Sequence, residues 1–388
     1  MQQARESVKM DFNINDISTP CYVIDRGVVE ENLKKLAGIK ERSGCRILLS
    51  LKAFAMFSLF PLIREYLDGA SVSSLNEARL AHEEFGGEIH VYVPAYKESE
   101  FGRLLKYSDF MIFNSFSQWH RFEKFIKTSS KKVSFGIRIN PEHSEVEARL
   151  YDTCDRFSRL GVRSEQLRDK LPDRITGLHF HSLCCQNSDV LERTLKAVEQ
   201  KFGNHLHKIQ WLNLGGGHHI VSENYDIDLL CSLITGIRER YGVRIYLEPG
   251  EAVVLDAGVL AATVLDIVHN EMDIALLDTS AVAHMPDVFE MPYRPDIVGA
   301  GIAGEYNHTY RLGGITCLAG DVIGDYSFPE PLEIGSRIII RDMAHYTMVR
   351  NSHFNGVKLP DIAIHDPGSG KIEVVRRFGY EDFKNRLS

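Results

Sequence analysis

Residues 45–55 read CRILLSLKAFA, an apolar run that ends on one lysine, Lys52. Ile47, Leu48, Leu49 and Leu51 suit a strand buried on both faces, and a helix-like pattern follows from Phe57 to Leu67. The same pairing recurs along the chain. Strand-like runs stand at 45–51, 69–74, 89–93, 109–114, 132–140, 174–181, 208–214 and 243–248. Amphipathic stretches such as SLNEARLAHEEFG and DVLERTLKAVEQKFG lie between most of them, the second with a helix stop expected at Gly203. Eight strands alternating with helices predict an α/β fold, a TIM-like (β/α)8 barrel over residues 27–257, with a doubly wound open sheet as the rival.

Beyond residue 257 the pattern changes. GVLAATVLDIVHN (258–270), DIALLD (273–278), HTYRLGGITC (308–317) and SRIIIRD (336–342) follow one another with Gly and Pro turns and little helix. They predict a C-terminal antiparallel β domain, sandwich- or barrel-like. TPCYVID (19–25) is also strand-like and is expected to join it, so residues 1–26 and 258–388 form the second domain. The connection from Pro141 to Leu171 is long, as functional loops on barrels often are.

Composition narrows the classes of function. The chain has 388 residues, 44% of them apolar and 25% charged, with a net charge of −8. That balance argues against nucleic acid or an anionic membrane as partner. Seven cysteines without paired CxxC spacing exclude a disulfide framework and a zinc site, so no metal is expected. The start, MQQARESVKMDFNIND, has no apolar signal-peptide core, and no run is long enough to span a bilayer. A reducing cytoplasm is the expected compartment.

In a barrel of this kind chemistry sits at the carboxyl ends of the strands. Lys52 ends the first strand, His181 the sixth, Gly215-Gly216-Gly217 the seventh and Glu248 the eighth. Each has an ordinary explanation alone: a lysine whose stem lies on apolar surface, a hydrogen-bonded core histidine, a flexible turn, a solvated carboxylate. Together on one rim they point to pyridoxal 5'-phosphate (PLP). The lysine would form a Schiff base with the aldehyde, the glycines would admit the phosphate, the carboxylate would pair with the pyridine nitrogen, and the imidazole would lie on the ring.

TPCYVID, LKA, SRLG, GLHFH, LNLGGG, EPG, GITCLAGD and HYTMVRNSHFNG occur in an order that resembles the fold-type III PLP decarboxylases, the alanine racemase-like barrels that include diaminopimelate and ornithine decarboxylases. Within that family SLKAF, FHSLCCQ, EPGEA and TCLAGD are most similar to the carboxynorspermidine/carboxyspermidine decarboxylases. The resemblance implies Lys52 as the Schiff-base lysine, His181 on the ring, Gly215, Gly216 and Gly217 on the phosphate, and Glu248 on the pyridinium. It implies Tyr346 as a phosphate contact, Cys317 as the proton donor after CO₂ leaves, and Asp321 as an acidic substrate contact. Cys317 and Asp321 would come from a neighbouring subunit, which implies a homodimer with shared active sites.

Two positions depart from the family pattern. Many relatives follow EPG with a phosphate-binding arginine, where this chain has Glu251; a carboxylate there must turn away from the phosphate or meet a cation. Many diaminopimelate enzymes follow the cysteine with a glutamate, where this chain has Leu318. Both suit a substrate with an extended cationic tail, and Glu251, Asp287 and Arg294 are expected to read it. A solvated cluster of Asp287, Glu290 and Arg294 is the alternative. The expected reaction is decarboxylation of carboxynorspermidine or carboxyspermidine, polyamine-type amino acids. Diaminopimelate or ornithine decarboxylation is the alternative, and a racemase is disfavoured by the carboxylate at Glu248. From another class, a cofactor-poor homologue that binds and regulates a partner is argued against by the retained Lys52, glycines, Glu248 and Cys317.

Overall fold

The computed structural model describes Ile14, residues 17–167 and residues 170–388; the start of the chain on which the signal-peptide reading rests lies, apart from Ile14, outside the described residues. Two compact units emerge, one running to Glu31 and resuming at Val254, the other spanning Asn32–Val253. These breaks fall a few residues from the expected 26/27 and 257/258.

The first unit opens with β1 (Cys21–Asp25). The second holds β2 (Arg46–Ser50), β3 (Gly69–Val72), β4 (Glu88–Tyr92), β5 (Phe110–Phe113), β6 (Ser134–Arg138), β7 (Ile175–His179), β8 (Trp211–Asn213) and β9 (Arg244–Leu247). Each of these eight pairs in parallel with the next, and β2 pairs with β9 to close the barrel. A closed sheet has no free edge, and most strand residues are buried, so the runs are largely apolar, with Arg138, His179 and Asn213 among the exceptions. Side chains fill the barrel interior: Leu48, Phe110, Ile112, Trp211 and Tyr246 pack as one cluster. The Trp211 indole lies against β6 and β7 where each has a glycine. A Cβ on Gly177 would stand 1.9 Å from the indole and one on Gly136 2.3 Å, while indole Nε1 donates to Ser134 Oγ at 2.9 Å.

The helices differ from expectation in three places. The helix Ser188–Leu206 runs through Gly203. Phe202, His205 and Leu206 are all buried, and their packing outweighs the low helix propensity of glycine. The stretch from Phe57 to Leu67 contains only a 3₁₀ turn, Phe57–Leu59, and a short helix, Phe60–Ile63. SLNEARLAHEEFG begins as expected, with Ser74 capping the Glu77 N–H, but widens into a π-turn at Ala81–Phe85 before Gly86.

The sheet unit is mixed rather than antiparallel. Its remaining strands are β10 (Gly258–Asn270), β11 (Met272–Leu277), β12 (Gly301–Ile302), β13 (His308–Gly313), β14 (Val322–Phe328), β15 (Arg337–Arg341), β16 (Asp361–Asp366) and β17 (Lys371–Arg376). They run in the order β12-β14-β13-β11-β10-β1-β16-β17, with β15 also on β10. β1 is parallel to β16, and β11 is parallel to β13. Both pairs join strands separated by long connections, which permit a crossover; the β10–β11 pair, joined by a tight turn, is antiparallel. TPCYVID does enter this sheet, as expected.

The glycines beneath Trp211 give a direct test of the barrel packing. Gly177→Ala is expected to lower unfolding stability by about 1–3 kcal/mol through overpacking, measured by urea denaturation. A change within experimental error would show that the indole can move aside.

Candidate active site

The closed barrel brings Lys52, His181, the three glycines and Glu248 to the same end, each one to four residues past its strand. Continuous polar contact links them. Lys52 Nζ lies 3.2 Å from His181 Nε2, and His181 Nδ1 accepts the Gly216 N–H at 2.9 Å. Asn213 Oδ1 accepts the Gly215 N–H at 2.8 Å, and Asn213 Nδ2 donates to Glu248 Oε1 at 2.7 Å. His179 Nε2 stands 3.6 Å from the other Glu248 oxygen.

These contacts settle which groups hold protons. His181 Nδ1 receives a backbone N–H, so a neutral ring carries its proton on Nε2, facing Lys52. An N–H facing an ammonium is repulsive; facing a free amine it can donate. Lys52 is exposed, yet the protein around it partly desolvates its amine. That desolvation is the main force pushing its amine below the usual lysine range; Arg138 acts in the same sense and Glu248 against it. Burial, with Lys52 and Arg138 beside it, pushes His181 well below the usual imidazole value. The site therefore makes loss of the Lys52 proton easier than it is for a free lysine.

Glu248 behaves in the opposite way. Burial alone would push its carboxyl up, but His179, His90 and Asn213 outweigh it and hold the pKa at about 2. His179 itself is pushed down, chiefly by burial. We assign the pair as a carboxylate beside a neutral imidazole, because donated hydrogens stabilise the anion without requiring a second buried charge.

The glycines are required by close backbone packing. Gly215 has φ +72 and Gly217 φ +83; added Cβ atoms would lie 2.5 Å from the Phe180 carbonyl oxygen and 1.9 Å from that of Leu183. On Gly216 a Cβ would lie 2.3 Å from the Glu248 carbonyl oxygen. Gly215 and Gly216 direct their N–H groups to Asn213 and His181, which leaves Gly217 as the one of the three whose N–H has no acceptor among the described residues. An anion at this turn would thus meet Gly217. A strand-end lysine whose proton is held less tightly than usual, a glycine turn with an available N–H and a buried carboxylate held below the usual range together fit PLP.

Glu251 does not lie unpartnered at this turn. Cys185 Sγ lies 3.3 Å from one of its oxygens, and His219 Nε2 lies 3.8 Å from the other. The neighbouring Cys184 and burial hold the Cys185 thiol protonated, so it donates to the carboxylate. Sequence reasoning missed four residues that shape the site: His179, Asn213, Arg138 and Gly250. Arg138 donates to the His181 carbonyl at 3.0 Å, and a Cβ on Gly250 would lie 2.5 Å from that of Ala53. The GLHFH and LNLGGG motifs contain two of them, but only the strand register shows which way they point.

The other candidates lie in the sheet unit. Cys317 is exposed, and its N–H donates to Asn355 Oδ1 at 2.9 Å. Asp321 is buried and accepts from the Ala281 N–H at 2.9 Å and the Thr316 hydroxyl at 2.6 Å, so it organises the loop that carries Cys317. Asp287 and Glu290 both pair with Arg350. The Arg294 guanidinium lies 4.6 Å from the Tyr326 ring centroid and also reaches the Gly301 carbonyl, within the sheet unit. Tyr346 is half-buried with a backbone φ of 50.

The chain matches the model of the pyridoxal-dependent decarboxylase C-terminal sheet domain over residues 21–344. It is 44% identical over 96% of both chains to carboxyaminopropylagmatine decarboxylase of Synechocystis. It is 41% identical to carboxynorspermidine/carboxyspermidine decarboxylase of Campylobacter jejuni, covering 95% of this chain and 98% of that one. A crystal structure of the C. jejuni carboxynorspermidine decarboxylase complexed with norspermidine superposes with a TM-score of 0.88 at 40% identity, over 95% of this chain and all of that one.

Borohydride reduction of the holoprotein is expected to fix the cofactor on Lys52, read by peptide mass mapping; label on another lysine would overturn the assignment. Gly217→Ala is expected to weaken PLP binding about tenfold or more, because a side chain at that φ is strained and meets the Leu183 carbonyl. Equilibrium dialysis reads the change, and unchanged affinity would remove Gly217 from the anion site.

Proposed function

Because this chain belongs to the pyridoxal-dependent decarboxylases, we propose that it removes the α-carboxylate of carboxynorspermidine or carboxyspermidine to give the polyamine. The observation that carries the chemistry is the meeting, on one barrel rim, of Lys52, His181, the glycine turn and the buried Glu248 through contacts of 2.7–3.2 Å. The choice of substrate rests on the similarity to the C. jejuni enzyme. A second reading, carboxyaminopropylagmatine, is favoured by the similarity to the Synechocystis enzyme. All three substrates join an α-amino acid head to a cationic tail, ending in an amine or a guanidinium. Diaminopimelate fits less well, since Leu318 offers no charge to a distal zwitterion.

In this reading Lys52 would hold the cofactor through its aldehyde, His181 would lie against the ring, Glu248 would meet the pyridine nitrogen and Gly217 would take the phosphate, with Tyr346 proposed as a further phosphate contact. When bound, the cofactor supplies an electron sink for the pair left on the α carbon as carbon dioxide departs. Glu248 remains charged throughout, which favours full delocalisation over proton exchange. Cys317 Sγ returns a proton to that carbon, and the cysteine comes from the partner copy of a homodimer. Asp321 and Asn355 hold the loop that presents it.

For the tail, Glu251 is the carboxylate at the barrel rim, oriented by Cys185 and His219. Asp287 reads charge only if it leaves Arg350, which makes it the weaker candidate. Seven unpaired thiols suit a reducing compartment, and we place the protein in the cytoplasm. Among the described residues no helix is long and apolar enough to cross a membrane.

Carbon dioxide release from carboxynorspermidine, carboxyspermidine, carboxyaminopropylagmatine and diaminopimelate separates these readings. The first two are expected to give the highest kcat/KM; a preference for the guanidinium substrate would establish the second reading. Glu251→Gln is expected to cost about 2–5 kcal/mol in kcat/KM with PLP occupancy near normal, as for a desolvated charge pair. Loss of cofactor without loss of substrate preference would make Glu251 structural. Mixing inactive Lys52→Ala and Cys317→Ala proteins, with subunit exchange verified, should restore activity through hybrid dimers, and no recovery would argue against shared sites.

A further inference from the structure

β7 and β8 pair so that His179 stands beside Asn213, and both side chains reach Glu248, one to each carboxylate oxygen. The carboxylate plane is otherwise free to turn about its last torsion. We propose that His179 is a positioning residue which, with Asn213, fixes the Glu248 carboxylate as the acceptor for the pyridine nitrogen of the cofactor. The proposal rests on the reading that Glu248 faces that nitrogen.

The surroundings of His179 define its role. It is 2% exposed, and its Nδ1 has no hydrogen-bond partner among the described residues. A proton on Nδ1 would bury an unsatisfied donor and aim a lone pair from Nε2 at a carboxylate. A proton on Nε2 leaves only an unpaired acceptor buried and directs the N–H edge to Glu248 Oε2, so the second tautomer is assigned. At 3.6 Å the contact is longer than a direct hydrogen bond and acts through the ring dipole. Tyr92 stacks on the imidazole with centroids 5.4 Å apart and planes at 29°, and its hydroxyl donates to Asn114 Oδ1 at 2.7 Å. The Arg138 guanidinium lies over the Tyr92 ring, 4.7 Å from its centroid. Arg138 is also the register partner of His179 across β6 and β7. A stacked tyrosine fixes the ring, and a neighbouring cation disfavours the imidazolium. His179 is therefore a rigid, neutral imidazole whose N–H edge faces Glu248.

The test uses the full-length protein, stripped of cofactor, and two probes: PLP and 1-deazapyridoxal 5'-phosphate, in which a C–H replaces the ring nitrogen. Dissociation constants are measured by absorbance titration. The wild type is expected to prefer PLP by about tenfold or more, because a charged carboxylate meets a ring N–H in one case and a C–H in the other. His179→Phe, which keeps the stack and loses the donor, is expected to bring that preference close to one. It is also expected to lower kcat with KM nearly unchanged. His179→Gln, which restores an N–H, should recover most of the preference. His179→Met serves as a second donor-free variant if the phenylalanine protein does not fold, with folding checked by circular dichroism. No preference in the wild type would overturn the Glu248 reading and this proposal with it. A wild-type preference retained by the folded donor-free variant would overturn the proposal for His179 alone.

Discussion

A carboxylate held charged inside a closed barrel is the constraint from which the active end of this protein follows. Transfer of an unpaired ion from water into protein costs several kcal/mol even after relaxation, so Glu248 needs donors on both oxygens. Neighbouring strands must supply them, and the β7–β8 register does so by setting His179 beside Asn213. The same Asn213 uses its carbonyl to receive the Gly215 N–H, so the carboxylate and the glycine turn are tied through one amide. The depressed carboxyl has a thermodynamic corollary. Its stabilising contribution is present above the pH at which an unfolded glutamate titrates, and it is lost as pH falls from about 4.5 to about 2.

The sheet unit solves a different problem, that of holding Cys317 on an exposed loop. β10 is its spine: the first half pairs with β1 and β15, and the second with β11. Asp321 lies at the foot of the Cys317 loop and uses its carboxylate on the start of the helix Ala281–His284 and on Thr316. A charged side chain that the sequence assigns to substrate is thus bound to its own scaffold. Its chemical importance, in our reading, is exerted through the position of Cys317.

The barrel was legible because its strands are largely apolar runs and its candidate site residues stand where those runs stop. Lys52, His181, the glycines and Glu248 stand at such stops, so linear position locates them. Asn213 and His179 were not legible, because they lie inside strands and a period of two does not say which face points to the mouth. The mixed pairing of the sheet was hidden for a related reason. Parallel neighbours such as β11 and β13 are decided by the route of the connection, whereas hairpin neighbours are announced by a turn. Gly203 misled because a glycine within a helix is tolerated wherever the flanking residues are buried. Asp287 shows the limit of reading charge alone: its partner Arg350 is 63 residues away.

The chain contains two tryptophans, and both belong to the barrel unit. Trp211 sits in the barrel interior under its two glycines, and Trp119 is buried on the helix Phe116–Thr128 against Phe113 and Phe135. The sheet unit has tyrosines but no tryptophan. Indole emission is consequently a reporter for one half of the molecule, and loss of order confined to the other half would leave it almost silent. Any fluorescence melt of this protein is a measurement of the barrel, and the unit that carries Cys317 has to be followed by a different optical signal.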